Sequence, residues 1–199
     1  MPVIISGCVG PRSEGYESTE RMCAEDAERY HRPQVATFAS TVADLVTAMT
    51  MHYAEEAIGI ANAARAVGMP VAIAFTVETD GKLPSGQALA DAIAQVDAAT
   101  EAYPRYYVID CAHPTHFAHL LREGHPAWQR LRGLRAHAWR GSHAELDAMT
   151  ALDAGNPDEF ALWYDRLREE LPWLTILGGC CGTDHRHIAA VAERTATLR

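Results

Sequence analysis

Gly68-Met69-Pro70-Val71-Ala72-Ile73-Ala74-Phe75-Thr76-Val77 is the stretch that decides the fold. Gly68 closes an alanine-rich helical pattern over residues 55–67, and Pro70 two residues on blocks its continuation. The apolar, β-branched run 71–77 then reads as a strand, with Asp80-Gly81 as the turn beyond it. Upstream of the helix, Asp44-Leu45-Val46-Thr47-Ala48-Met49 reads as another strand. Strand, helix and strand in direct succession form the repeating unit of a parallel sheet.

The alternation extends in both directions. Toward the N-terminus, Val3-Ile4-Ile5-Ser6-Gly7 reads as a strand stopped by Gly10-Pro11. A loop carrying Gly15 and Tyr16 leads to a polar helix around residues 18–29, and a further helix over 33–42 takes Pro33 in its first turn. Toward the C-terminus, Leu89, Ile93 and Val96 mark a helix over 85–99. Strands are expected at 106–109, 133–138 and 174–177, with helices at 117–123, 157–170 and 184–197. A long insert precedes the helix at 157, and Asp184 is placed to cap the last one. Repeated strand–helix units predict a parallel sheet with helices outside, closed as a barrel or open and doubly wound; periodicity does not choose between them.

The bulk properties narrow the function. The chain has 199 residues, 48% hydrophobic and 22% charged, enough for a single domain over 1–199 with a sizeable core. A formal charge of -9 without a basic cluster argues against nucleic acid. No stretch is long and apolar enough for a membrane span, and Met1-Pro2-Val3-Ile4-Ile5-Ser6 lacks the basic start of a secretion signal. Five cysteines, an odd number, point to thiol or metal chemistry in a reducing compartment, with the cytoplasm as the expected one.

Among those cysteines, Leu177-Gly178-Gly179-Cys180-Cys181-Gly182 carries the chemistry. Adjacent side chains on a strand point to opposite faces, so glycines able to take positive φ are needed to bring both thiols to one side. A vicinal pair is still short of a zinc site, which takes at least three protein ligands. Cys111, in Tyr107-Val108-Ile109-Asp110-Cys111-Ala112-His113-Pro114, also follows an apolar run and is the third candidate. Three thiolates from two strand ends leave one tetrahedral position open, the pattern of a catalytic zinc. His113 and His116 are weaker ligand candidates, and a strained vicinal disulfide is the alternative use of the pair. Cys8 and Cys23 are expected to be packing residues. The absence of Cys-x-x-Cys weighs against a thiol-redox protein.

Gly178-Gly179-Cys180-Cys181-Gly182, preceded by Asp110-Cys111-Ala112-His113-Pro114, resembles the zinc-dependent homocysteine S-methyltransferases. These include the betaine and S-methylmethionine enzymes and the homocysteine-binding module of methionine synthase. Ser6-Gly7-Cys8-Val9-Gly10-Pro11 is similar to the family's glycine-proline segment after its third barrel strand, and the likeness runs over the whole chain. The resemblance implies a (β/α)8 TIM barrel, Zn2+ held by Cys111, Cys180 and Cys181, and methyl transfer from a cationic donor to the thiolate of homocysteine, forming methionine. The implied partners are thus a small thiol and a methyl donor.

Substrate contacts are expected from Gly10 and Pro11, which shape a loop, and from Asp110 beside Cys111. Tyr16, Phe75 and Trp139 near strand ends offer aromatic surface to a cationic donor, with packing as their ordinary use. Three departures stand out. Only six strands are legible, starting from the family's third. Met49 stands where many members carry a Glu that binds the amino group of homocysteine, and Glu55 and Glu56 nearby read as an exposed first helical turn. Arg135-Ala136-His137-Ala138-Trp139 replaces an Asn-containing, small-residue pattern. A barrel short of two strands leaves two open edges; the expectation is a chain truncated at its start, which a buried strand beginning at residue 3 favours, or a gap closed by a partner chain, which includes a homo-oligomer. The competing expectation is therefore a catalytically impaired zinc-binding fragment that works only within an assembly.

Overall fold

The computed structural model of the chain describes residues 2–13 and 21–196. Six strands form one all-parallel sheet in sequential order: β1 Ser6–Val9, β2 Leu45–Met51, β3 Val71–Phe75, β4 Tyr107–Asp110, β5 Leu131–Ala136 and β6 Ile176–Gly179. The intervening helices are α1 Ala24–Ala39, α2 Ala54–Ala66, α3 Leu89–Thr100, α4 Pro114–Leu121, α5 His143–Asp147, α6 Pro157–Glu170 and α7 His185–Ala196, with a short 3-10 turn Pro126–Arg130 before β5. Among the described residues each strand pairs only with its sequence neighbours, so β1 and β6 are lateral edges. The sheet is an incomplete TIM barrel, a curved wall of six strands backed by helices.

Strand alternation sorts the side chains onto two faces. Val9, Val46, Ile73, Phe75, Ile109 and Leu134 face the helices and are buried in the core. Ser6, Cys8, Thr47, Met49, Val108 and Arg135 line a cavity of about 590 Å3 on the inner face. Cys8 is exposed there, and Cys23 is exposed at the N-cap of α1, so neither is the packing residue that its apolar character predicts.

The outer layer is tightly built. Gly59 in α2 lets α1 approach closely: a Cβ there would meet the Glu28 amide nitrogen at 2.6 Å. Pro33 starts no second helix but lies inside α1. Its ring deprives the Arg29 carbonyl of a helical partner, but both residues are exposed, so water replaces the bond while Ala27, His31 and Val35 stay packed. Glu56 is likewise not an exposed first-turn residue. It is buried, accepting from the Arg12 amide at 2.7 Å and facing His31 Nε2 at 3.0 Å.

Element ends shift where pairing overrides local preference. β6 runs two residues further than the apolar run predicts, because Gly178 and Gly179 pair with Arg135 and Ala136 of β5. α3 begins at Leu89 rather than 85, since Leu83, Gly86 and Gln87 are tied into a turn by backbone hydrogen bonds. α5 lies within the long insert that precedes the helix at 157.

Candidate metal centre

The cysteines sit at the C-terminal rim of the wall. β4 ends at Asp110, and Cys111 turns away with a left-handed backbone, φ 47°. β6 ends at Gly179; the Cys180 amide donates to the Ala136 carbonyl at 2.8 Å, and the Cys181 carbonyl accepts from Ala138 at 3.0 Å. Only Gly182 of the flanking glycines has positive φ, 77°. Gly178 and Gly179 are needed for space instead, lying under Arg135 and Thr183 respectively.

This backbone path brings Cys111, Cys180 and Cys181 together, with all three sulfurs within 4.8 Å of one another. Cys180 and Cys181 Sγ are 3.9 Å apart. Two sulfurs each about 2.3 Å from a tetrahedral zinc lie about 3.8 Å apart, so the pair fits one ion. Cys111 and Cys180 are joined as a disulfide, where the sequence predicts free thiolates. Two electrons and two protons convert such a pair to the free thiols that a metal site needs. In the reduced state the soft, three-sulfur donor set fits Zn2+ and leaves a tetrahedral position for a fourth ligand.

Asp110 supports the first cysteine. It is fully buried, accepting from the Thr50 amide at 2.9 Å and the Thr50 hydroxyl at 3.1 Å. Burial pushes its carboxyl up to about 6, against the lowering effect of these bonds. Thr50 Oγ1 in turn lies 3.8 Å from Cys111 Sγ, and Thr50 shares the left-handed conformation at φ 58°. Asp110 therefore reaches the cysteine through Thr50.

The remaining expected residues are scattered. His113 caps α4, its Nδ1 accepting from the Thr115 amide at 3.2 Å, and His116 Nε2 bonds the Arg140 carbonyl at 2.9 Å. Neither joins the cluster of sulfurs. Phe75 is buried on the helix side, stacked on Tyr107, which corrects the expectation that it faces a ligand. The strand's alternation turns it outward. Trp139 is half-buried beyond β5, against Gly141. Gly10 is exposed with open space around it, and Pro11 is half-buried next to the Arg12–Glu56 contact. Tyr16 lies outside the described residues. Met49 Sδ lies 3.6 Å from Arg135 Nη1 on the inner face.

A buried polar set covers the rim, in which His113 and His116 are joined by His52, His143 and Thr76, to which the sequence assigns no role. His52, His113, His116, His137 and His143 are all buried, with Thr76 among them. Desolvation drives His113 and His137 down to about 3 and lowers His52 and His116 as well. The one legible signal was Ser142-x-x-Glu145, a capping box that starts α5 and places His143.

Three crystal structures of the homocysteine methyltransferase MmuM from Escherichia coli share the fold. The metallated form has a TM-score of 0.73 and 19% identity over 96% of this chain and 61% of that one. The apo form gives 0.71 and 19% over 96% and 62%, and the oxidized form 0.65 and 20% over 90% and 55%. The chain thus spans about three fifths of that protein's length. No curated protein matches it. The sequence model of homocysteine S-methyltransferases matches residues 1–195, nearly the whole chain, and with that match the chain belongs to the homocysteine S-methyltransferase family.

Proposed function

We propose that this chain carries the metal-binding part of a zinc-dependent S-methyltransferase that moves a methyl group from a cationic donor to the thiol of homocysteine, forming methionine. The observation that carries the proposal is the convergence of Cys111, Cys180 and Cys181 within 4.8 Å at the ends of β4 and β6. When bound, Zn2+ supplies Lewis acidity that holds an acceptor thiol as thiolate, a form that is only a few per cent populated for a thiol of pKa about 8.5 at neutral pH. The three cysteines hold the ion and form no covalent bond to substrate. Asp110 orients Thr50, whose hydroxyl faces Cys111 Sγ. In the transfer, the acceptor sulfur bonds the methyl carbon while that carbon's bond to the donor's sulfonium or ammonium centre breaks. The electron pair leaves with the donor, and the thiol proton goes to solvent. Trp139 is the rim aromatic best placed in sequence to face the donor's charge.

The open inner face favours a second reading, a zinc-binding fragment that acts only within an assembly. A cavity of about 590 Å3 with Met49 and Arg135 in its wall offers no carboxylate to an ammonium group among its described lining residues. Two unpaired lateral edges add to that reading. Elemental analysis of protein purified without chelators tests the two, with Cys111→Ala alongside. About one zinc per chain, lost in the variant, supports the methyltransferase reading and directs assays to homocysteine. A folded wild type without zinc leaves the assembly reading in front.

The compartment expected is the cytoplasm; among the described residues, no helix is long and apolar enough to cross a membrane.

A further inference from the structure

Cys111 holds a conformation that L-residues avoid. Its φ of 47° places it in the left-handed region, which is strained for a non-glycine residue. Such a conformation persists only where the surroundings over-determine it. The Cys111 amide donates to the Arg135 carbonyl at 3.0 Å, which ties one side of the peptide to β5. Its carbonyl accepts from two side chains, His143 Nε2 at 2.5 Å and Thr76 Oγ1 at 3.3 Å.

His143 is itself fixed. It is 2% exposed, and its Nδ1 lies 2.8 Å from Glu78 Oε1. A carbonyl oxygen only accepts, so Nε2 donates to Cys111; a carboxylate oxygen likewise only accepts, so Nδ1 donates to Glu78, and the two bonds on opposite nitrogens hold the ring in plane. His143 opens α5, and the reciprocal Ser142–Glu145 capping box fixes where that helix starts. Three loops therefore meet on one backbone carbonyl: Glu78 and Thr76 after β3, Cys111 after β4, His143 after β5.

We infer that His143, braced by Glu78, is a positioning residue for the metal site: it locks the Cys111 peptide in its left-handed conformation and so aims the Cys111 sulfur at Cys180 and Cys181. The inference rests on the reading of these cysteines as metal ligands. Groups that orient ligating residues commonly matter about 10–100-fold in metal affinity.

Cobalt(II) titration of the reduced protein tests it, because thiolate-to-cobalt charge transfer in the near ultraviolet grows with each sulfur bound. His143→Leu should bind cobalt about 10–100-fold more weakly and lose intensity toward the level of Cys111→Ala, with an unchanged far-ultraviolet circular dichroism spectrum. His143→Gln, whose side-chain amide can donate to the same carbonyl, should recover most of both. A folded His143→Leu with wild-type intensity and affinity would overturn the inference, as would a Gln variant no better than Leu. Should His143→Leu fail to fold, Glu78→Leu, which leaves nothing to bond Nδ1, takes its place: weaker cobalt binding supports the brace, and unchanged binding overturns it. The absence of charge transfer in the wild type itself would remove the metal reading, and this inference with it.

Discussion

The rim and the wall of the inner face are built from the same six strands, yet they differ in kind. At the rim, loops after β2 to β5 fold over the strand ends and bury Asp110, Cys111 and the histidines. Below it, Ser6, Cys8 and Arg135 stand exposed around a cavity of about 590 Å3. The rim is closed by loops that belong to consecutive strand–helix units, so six units suffice to assemble it. A barrel wall is filled by side chains arriving from strands on the opposite side. Six strands have no opposite side, so the wall stays open while the helical face behind it is sealed.

The largest effect should separate the cysteines of the two zones. Cys180→Ala or Cys181→Ala should remove most bound zinc as read by elemental analysis, whereas Cys8→Ser should leave zinc content unchanged and stability within about 0.5 kcal/mol. A marked zinc loss in Cys8→Ser would erase the distinction between rim and wall.

Next comes the sealed face behind the wall. Ile73 is fully buried against the helices, and Ile73→Ala should cost about 2–5 kcal/mol in urea unfolding. A value no larger than that of Cys8→Ser would mean both faces are equally loose.

The rim histidines sharpen the contrast through pH. His52, His113, His116 and His137 have folded pKa values lowered by burial, so the unfolded chain binds more protons below about 6.5. Their contribution to stability is present above the unfolded value and is lost as pH falls, by up to about 1.4 kcal/mol per pH unit for each. Unfolding free energies measured from pH 7 to 5 should fall, with a shallower slope in His137→Gln; equal slopes would show that the rim is wet.

The smallest effect concerns backbone approach. Gly59→Ala should cost about 1–3 kcal/mol by pushing α1 from α2. Gly10→Ala, with nothing within 4 Å, should be neutral by thermal unfolding. A neutral Gly59→Ala would show the helical layer to be as yielding as the wall.

Much of this was legible in the residues. Gly68 and Pro70 punctuate the α2–β3 junction through local backbone geometry alone, and Gly182 after Cys180-Cys181 marks a turn for the same reason, whereas Gly178 and Gly179 answer to neighbours distant in sequence or across the turn. Phe75 takes the packing role ordinary for an aromatic: its place near a strand end is visible in sequence, while the face it takes depends on where the alternation is anchored. Pro33 and Glu56 were misread because each is governed by a partner far along the chain: α1 survives its proline by packing on α2, and Glu56 is buried by His31 and Arg12.

By itself, then, the sequence determined the order of the strands and the residue types able to bind a soft metal, because these follow from local periodicity and side-chain chemistry, while its motifs resemble the family whose model it matches. Only the tertiary structure decided that sulfurs 69 residues apart meet, that His143 reaches the Cys111 carbonyl, and that the inner wall stays open. Those outcomes depend on sheet register and curvature, which no stretch of sequence carries alone.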